Sequence, residues 1–178
     1  MKHTLVALVQ DKPGVLNRIA AMFRRRGFNI ASLAVGQSEQ PGLSRMTFVV
    51  DGDSTIVEQV TKQMYKLIDV IRVSDLSTEE TVSRELALIK VRATAQTRSE
   101  IMQLVDIFRA GIVDVSPDSL VIEVTGDEDK ITSLTKLLKP FGIRELMRTG
   151  RVAMTRGGAG GQERGRGNGA TPSKETEA

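Results

Sequence analysis

The chain has 178 residues, 25 of them basic and 22 acidic, which is enough for one ordinary domain or two small ones. It contains no cysteine, which excludes disulfide frameworks, thiolate metal sites and thiol nucleophiles. No apolar run approaches the roughly 20 residues of a membrane span, and the start MKHTLVALVQDKPG becomes polar too early for a signal peptide, so we expect a soluble, cytoplasmic protein.

The first half of the chain alternates between two hydrophobic periods. Short β-branched apolar runs predict strands, and apolar residues spaced three to four apart predict amphipathic helices. In chain order the strands are HTLVALVQ (3–10), NIASLAVG (29–36), SRMTFVVD (44–51) and DVIRVSDL (69–76). The helices carry the apolar stripes Val15/Leu16, Ile19, Met22/Phe23 and then Val57, Val60, Met64, Leu67. Three arginines at 24–26 followed by Gly27 predict the end of the first helix.

The second half of the chain repeats this order. Its strands are ELALIKVRA (85–93), IVDVSP (112–117), SLVIEVTG (119–126) and IRELMRTG (143–150). Its helices carry the stripes Ile101, Leu104, Val105, Phe108 and Ile131, Leu134, Leu137, Leu138. Gly-Asp stands between strand and helix in both halves, at 52–53 and 126–127, where the aspartate is expected to cap the helix. Two βαββαβ units predict an α+β protein of two tandem ferredoxin-like domains.

The sequence also predicts where the two units begin and end. The first unit spans residues 1–78, residues 79–83 form a linker within the polar stretch STEETVSR, and the second unit spans 84–156. Residues 157–178 are Gly-rich, polar and without hydrophobic period, which is typical of disordered segments. From Arg151 onward there are five basic and three acidic residues, so the body, with 20 and 19, is nearly neutral. This distribution does not favour nucleic-acid binding, which concentrates positive charge on a folded surface.

The stretch DKPGVL between the first strand and the first helix is a candidate binding site. A helix start presents up to four amide N–H groups without partners. Asp11 can accept from one of them, Pro13 fits the first helical turn, and Gly14 lets a ligand approach closely. The amides of Gly14, Val15 and Leu16 lie at the positive end of the helix dipole and predict an anion site suited to a carboxylate. The alternative is that Asp-x-Pro-Gly only begins a helix.

Asn29 is a second candidate. It stands at the beginning of a strand, where asparagine is depleted. Its amide offers both a donor and an acceptor, as recognition of an amino acid's ammonium and carboxylate requires. Satisfying the backbone after Gly27 is an equally good explanation.

These residues carry a family resemblance. The segment DKPGVLNRIAAMFRRRGFNIASLAVG resembles the amino-acid-binding signature of ACT domains. The continuation PGLSRMTFVVDGD, QMYKLIDVIRVSDL and SRELALIKV resembles the regulatory small subunits of acetolactate (acetohydroxyacid) synthase, over residues 2–156. The resemblance implies an N-terminal ACT domain and a C-terminal ACT-like domain in a non-catalytic subunit. Such a subunit activates a thiamine-diphosphate-dependent catalytic subunit and confers feedback inhibition by valine, and often by leucine or isoleucine.

The resemblance also implies a site and its partners. In that family the effector lies between two ACT domains, which implies a homodimer whose further partner is the catalytic large subunit. The positions that match are Asp11, Gly14, Val15, Leu16, Asn29 and Ile30. No cofactor or metal is expected on this chain, whereas thiamine diphosphate, Mg and FAD are expected on the catalytic subunit. The second unit lacks Asp-x-Pro-Gly, and its Thr97 and Glu100 predict a capping box instead of an effector site.

Other function classes fit the residues less well. Ferredoxin-like sheets also bind RNA by stacking bases on exposed aromatics, but these strands offer chiefly Phe48. An amino-acid-sensing transcription regulator needs a helix-turn-helix, for which the two units leave no residues. An enzyme needs clustered acid–base groups, yet the single histidine, His3, and the single tyrosine, Tyr65, have no evident partner. The acidic clusters at 51–53, 79–80 and 126–130 fit helix capping and solvation.

Removing residues 157–178 is expected to change neither the fold nor the regulation, because this segment has no apolar surface to bury. The measurement compares thermal unfolding, activation of the catalytic subunit and its inhibition by valine between the full and the shortened chain. Loss of activation on truncation would overturn the expectation.

Overall fold

The first half of the chain forms an antiparallel sheet with two helices on one face. In the computed structural model, which describes residues 1–157, its elements are β1 (Lys2–Gln10), α1 (Val15–Arg26), β2 (Ile30–Gln37), β3 (Leu43–Asp51), α2 (Ser54–Met64) and β4 (Val70–Asp75). The strand order is β2-β3-β1-β4. This is the ferredoxin-like arrangement that the hydrophobic periods predict.

The second half has the same arrangement with one additional strand. Its elements are β5 (Thr81–Arg92), α3 (Arg98–Ile107), β6 (Gly111–Ser116), β7 (Ser119–Gly126), α4 (Glu128–Leu138), β8 (Ile143–Arg148) and β9 (Val152–Thr155), with a 3-10 turn at Lys139–Phe141. The main strand order is β6-β7-β5-β8, and β9 pairs with the first residues of β5. The predicted fold class, two tandem units of ferredoxin-like topology, is confirmed.

Each half has its own hydrophobic core between sheet and helices. In the first core Phe48 of β3 is fully buried and stacks on Phe23 of α1, with ring centroids 5.6 Å apart. The strand aromatic that the sequence chiefly offered for stacking a nucleobase is therefore enclosed in the core. This burial removes the feature on which RNA binding by the sheet would depend.

The predicted helix ends are confirmed at three positions and wrong at a fourth. The carboxylates of Asp53 and Asp127 accept hydrogen bonds from the amides of Ile56 and Lys130, at 3.0 and 2.8 Å. Gly27 ends α1 with φ +68°, as a C-terminal glycine does. The capping box of α3 is not formed, because the hydroxyl of Thr97 accepts from the Thr94 amide, which precedes the helix.

The connection between the two halves is shorter than the sequence predicts. Strand β5 begins at Thr81, so residues 81–83 of the expected linker lie in a strand. These residues pair with β9, a four-residue strand that the periodicity does not predict. Helix α2 ends at Met64, before Leu67. The expected disordered tail lies, apart from Gly157, outside the described residues.

Candidate functional site

The turn between β1 and α1 is held in place by backbone hydrogen bonds to two other segments. The Gln10 amide donates to the Asp69 carbonyl and the Asp11 amide to the Gly42 carbonyl, both at 2.9 Å. Helix α1 follows Gly14, its N-cap residue, at φ +86°. This left-handed conformation favours glycine, because a Cβ atom would strain it. The backbone conformation therefore favours a glycine at this position, in addition to the close approach of a ligand that a glycine allows.

Two details of the predicted turn are wrong. The N-cap of α1 has no side-chain hydrogen bond, so Asp11 does not cap the helix, and its residue is exposed. Pro13 precedes the N-cap and does not lie in the first helical turn. Both follow because the N-cap is Gly14, so that Asp11 and Pro13 precede the helix.

The predicted amide groups remain accessible in part. The Val15 amide donates a long hydrogen bond of 3.4 Å to the Lys12 carbonyl. Within residues 1–157, the amides of Gly14 and Leu16 have no hydrogen-bond acceptor. The Val15 side chain is buried in the core, whereas that of Leu16 is 44% exposed. Amides at the positive end of the helix dipole, next to an exposed leucine, suit a carboxylate with an aliphatic group.

Arg18 is a residue of this site that sequence reasoning missed. Its Nη1 atom lies 3.5 Å from the position that a Cβ on Gly14 would occupy. Its Nε atom donates to Oδ2 of Asp69 at 2.7 Å, and Asp69 is only 5% exposed. Asp69 thus fixes the turn twice, through its carbonyl to Gln10 and through its carboxylate to Arg18. Although it is paired with Asp69, the guanidinium places its remaining N–H donors beside these amides.

Asn29 and Ile30 lie at the other end of α1 from Gly14. Helix α1 has 12 residues and is therefore about 18 Å long. The few residues after the helix, at no more than about 3.6 Å each, are too short to return to its N-terminus. Asn29 is exposed and Ile30 is half-buried at the start of β2. One chain therefore does not bring all six predicted positions together: Asp11, Gly14, Val15 and Leu16 form one group, and Asn29 and Ile30 another.

Strand β2 continues from Ile30 into a junction with the second half of the chain. The Arg151 amide donates to the Ser32 hydroxyl at 2.8 Å, and the Gly150 backbone packs directly against Leu33. A cavity of about 370 Å³ lies at this junction. Ser32 and Leu33, which follow the predicted effector positions Asn29 and Ile30, thus contact the C-terminal unit.

Ion pairs, some of them with a buried carboxylate, reinforce the junction. The Arg151 guanidinium donates to Glu128 at 2.8 Å and lies 3.6 Å from Glu85, which also accepts from Arg148 at 2.7 Å. Lys2, from the first strand of the chain, binds Glu128 at 2.5 Å. Glu85 is buried, and a buried carboxylate requires such partners. The ion pairs therefore connect the two ends of the described chain.

The junction is expected to weaken in acid. The hydrogen bond from Lys2, aided by the charge of Arg151, lowers the pKa of Glu128 from its ordinary 4.5. A carboxylate with a lowered folded pKa contributes stability above the ordinary value and loses it as the pH falls through the folded value. Glu128→Gln is therefore expected to cost stability at neutral pH, by less than about 1 kcal/mol because solvent screens the pair, and nothing in acid.

Urea unfolding across that pH window measures the effect. The matched control is Glu100→Gln, which removes a carboxylate from the first turn of α3 without removing an ion pair of the junction. A cost of Glu128→Gln that persisted below the folded pKa would contradict the assignment.

The acidic clusters of the sequence form no metal site among the described residues. Within residues 1–157 no group of three or more His, Asp or Glu side chains could hold a metal ion. The helices of the same residues lack the length and apolar character of a membrane span. Asp53 and Asp127, from two of the acidic clusters, serve as helix caps.

Comparison with known proteins identifies both halves of the chain. A family model described as "AHAS small subunit-like ACT domain" matches residues 5–72, and one described as "Small subunit of acetolactate synthase" matches residues 84–157. A chain of Archaeoglobus fulgidus, named "Probable acetolactate synthase small subunit", is 60% identical over 88% of this chain and 98% of its own. The acetolactate synthase small subunit of Mycobacterium bovis is 54% identical over 89% of this chain and 94% of its own.

A solved structure agrees with these relatives. The crystal structure of the acetolactate synthase small subunit from Thermotoga maritima superposes with a TM-score of 0.83 at 47% identity. The match covers 88% of this chain and 98% of that chain. The chain therefore belongs to the acetolactate synthase small-subunit family and is not itself the catalytic chain.

Proposed function

We propose that this chain is the regulatory subunit of an acetolactate synthase and that it binds a branched-chain amino acid at the turn before α1. The observation that carries the proposal is the group of hydrogen-bond donors at this turn. The amides of Gly14 and Leu16 have no acceptor within the described residues, and the Arg18 guanidinium lies beside them. An amino acid's carboxylate complements such a group, because amides and a guanidinium are its preferred donors.

The complete site is formed by two copies of the chain. Strand β2 is an edge of its sheet and runs parallel to β1, since both are antiparallel to β3. Its last residue, Gln37, therefore lies at the same end of the sheet as the Gly14 turn. Antiparallel pairing of two β2 edges about a twofold axis would bring Asn29 of the partner subunit to this end. A homodimer of this kind has two equivalent sites.

The two parts of the site suit the two parts of the ligand. Leu16 and Ile30 are only partly buried and offer apolar surface to a branched side chain, whose burial contributes about 1.5–3 kcal/mol. Asn29 offers a donor and an acceptor. The free energy of burying the branched side chain is comparable to the roughly 1–3 kcal/mol of a typical allosteric coupling. Valine, leucine and isoleucine differ by a methylene or a branch point, worth about 1–3 kcal/mol.

Strand β2 is the proposed route from the effector to the rest of the molecule. Asn29 and Ile30 stand two to four residues before Ser32 and Leu33, which contact Arg151 and Gly150. A shift of β2 when the effector binds across the dimer would displace the C-terminal unit. An effector that favours one arrangement of the two units over another changes their populations in this way.

The remaining partners follow from the family. We propose the catalytic large subunit as the partner, with thiamine diphosphate, Mg and FAD bound there and not on this chain, and the cytoplasm as the location. The C-terminal unit, which lacks the Asp-x-Pro-Gly turn, is proposed to help activate the catalytic subunit.

Calorimetric titration of the full chain tests the proposal. Saturable binding of L-valine, L-leucine or L-isoleucine is expected, with no binding of D-valine or of a short single-stranded RNA. Sedimentation analysis in the same buffer measures the predicted dimer. Binding of RNA instead, or no binding of any L-amino acid even after the catalytic subunit is added, would refute the proposed function.

A further inference from the structure

One of the two edges of the first sheet is closed by a side chain. Strand β4 lies at this edge, and the Leu76 amide just beyond it donates to the Thr4 carbonyl of β1. Because only alternate residues of an edge strand bond to its neighbour, Val73 directs its amide and carbonyl away from the sheet. The Tyr65 hydroxyl accepts from the Val73 amide and donates to the Val73 carbonyl, both at 3.1 Å. One hydroxyl thus occupies both groups through which another strand would pair with the middle of β4.

The corresponding edge of the second sheet has no such cap. Strand β8 has six residues, as β4 has, and both strands follow a helix of 11 residues with an aspartate N-cap. The Thr149 amide donates to the Leu86 carbonyl of β5, so by the same alternation Leu146 and Arg148 direct their amides and carbonyls outward. Within residues 1–157 these backbone groups have no hydrogen-bond partner. Leu146 is 39% exposed, whereas Val73, at the corresponding place in β4, is 7% exposed.

The residue that stands in the second unit where Tyr65 stands in the first is a lysine. Tyr65 is the C-cap of α2, and Lys139 is the C-cap of α4. Lys139 is exposed and lines a cavity of about 590 Å³ between α4 and β8, together with Lys136 and Arg148. Arg148 is bound to Glu85 at 2.7 Å, but neither lysine forms an ion pair among the described residues. No acidic side chain lines the cavity, so the space beside the open edge of β8 has a net positive charge.

We propose that β8 pairs with an extended acidic segment of a partner protein. The outward amides and carbonyls require a peptide backbone, because an added strand supplies both a donor and an acceptor at alternate residues. The side chains of an added strand alternate between two faces. On the α4 face they meet Lys136 and Lys139, which complement carboxylates, and on the other face they meet the exposed Met147 beside Leu88. A second copy of the chain fits less well, because pairing two β8 strands about a twofold axis brings the same lysines together.

Titration of the full chain with three defined peptides tests the proposal. The acidic probe, acetyl-Glu-Val-Glu-Val-Glu-amide, is expected to shift the backbone amide signals of Leu146 and Arg148 to saturation, and to bind more weakly as salt is added. The same peptide with lysine in place of glutamate is expected to bind at least about 10-fold more weakly, because its charges are repelled. An acidic peptide N-methylated at the amides that face β8 is expected not to bind, because it lacks the donors. The effector turn takes no part in this assay, so its outcome does not depend on the proposed function.

Two variants close the edge of β8 in different ways. Lys139→Tyr places at the end of α4 the residue that closes β4, and Leu146→Pro removes the central outward amide, which an edge strand tolerates because that amide makes no bond within the sheet. Both are expected to abolish binding of the acidic peptide, whereas Lys139→Gln, which removes only the charge, is expected to weaken it several-fold. No saturable binding of the acidic peptide, equal binding of the three peptides, or unchanged binding in both Lys139→Tyr and Leu146→Pro would each overturn the proposal. Displacement of the peptide by a short single-stranded RNA would assign the surface to nucleic acid and overturn it as well.

Discussion

Replacing Gly14 with aspartate is expected to weaken valine binding by about 100-fold or more, which corresponds to about 3 kcal/mol. An aspartate side chain would begin 3.5 Å from Nη1 of Arg18, so its carboxylate can pair with the guanidinium. It would also face the open amides of the turn. The variant would thus supply its own carboxylate where the effector's is proposed to bind, and two carboxylates at one site repel each other.

A matched variant separates this charge effect from backbone strain. The φ of +86° at Gly14 strains any side chain, but asparagine and aspartate tolerate the left-handed region best. Gly14→Asn has the shape of Gly14→Asp without its charge, and it is expected to lose much less affinity. Calorimetry with valine measures both variants, and assays with the catalytic subunit are expected to show activation retained and inhibition lost in Gly14→Asp. Equal loss in both variants would place the cause in the backbone and contradict the carboxylate site.

The sequence predicts the fold well because hydrophobic period carries most of the information about it. The eight principal strands and four helices come from apolar residues that recur at two or at three to four positions. Strand β9 escapes this reasoning because it has only four residues and pairs with mostly polar residues at the start of β5. Such a strand depends on a partner some 70 residues away in the chain, which local patterns do not reveal.

The candidate site is predictable only where its residues are adjacent in the sequence. The Gly14 turn can be located from a few consecutive residues, but Arg18 and Asp69 meet across 51 positions. The residues DKPGVLNR do not reveal that Asp11 fails to cap α1, because this depends on Gly14 being the N-cap with a left-handed φ. The separation of Gly14 from Asn29 by the whole of α1 also appears only in three dimensions. That separation is the physical reason to expect a second copy of the chain at the site.

Gly150→Ala is expected to lower the free energy of unfolding by about 3 kcal/mol, the upper part of the range for overpacking. A Cβ at this position would lie 2.2 Å from the carbonyl oxygen of Leu33 and 2.9 Å from the amide nitrogen of Ala34. Both atoms belong to the backbone of β2, so no side-chain rotation relieves the contact. Either β2 or the segment between β8 and β9 must move, and that movement would break the bond from the Arg151 amide to Ser32.

The matched control for this variant is Gly111→Ala at the start of β6. A Cβ there meets nothing within 4 Å, so its effect is expected to stay within about 0.5 kcal/mol. Urea unfolding measures the two stabilities, and hydrogen exchange at residues 32–34 measures whether β2 loosens. Equal stability of the two variants, with unchanged exchange in β2, would show that the junction accommodates a methyl group and would contradict the close packing.

The same variant also separates effector binding from effector response. Gly150 contacts β2 three to four residues beyond the proposed effector positions Asn29 and Ile30 and does not touch the Gly14 turn. The affinity of Gly150→Ala for valine is therefore expected to fall only slightly, because the start of β2 is not contacted directly. Inhibition of the catalytic subunit by valine is expected to be largely lost. An effector controls a distant site only through a difference in its affinity for two arrangements. If the Gly150–Leu33 contact distinguishes those arrangements, displacing it removes the response while leaving the ligand bound. Full inhibition by valine in Gly150→Ala would place the route of coupling outside β2.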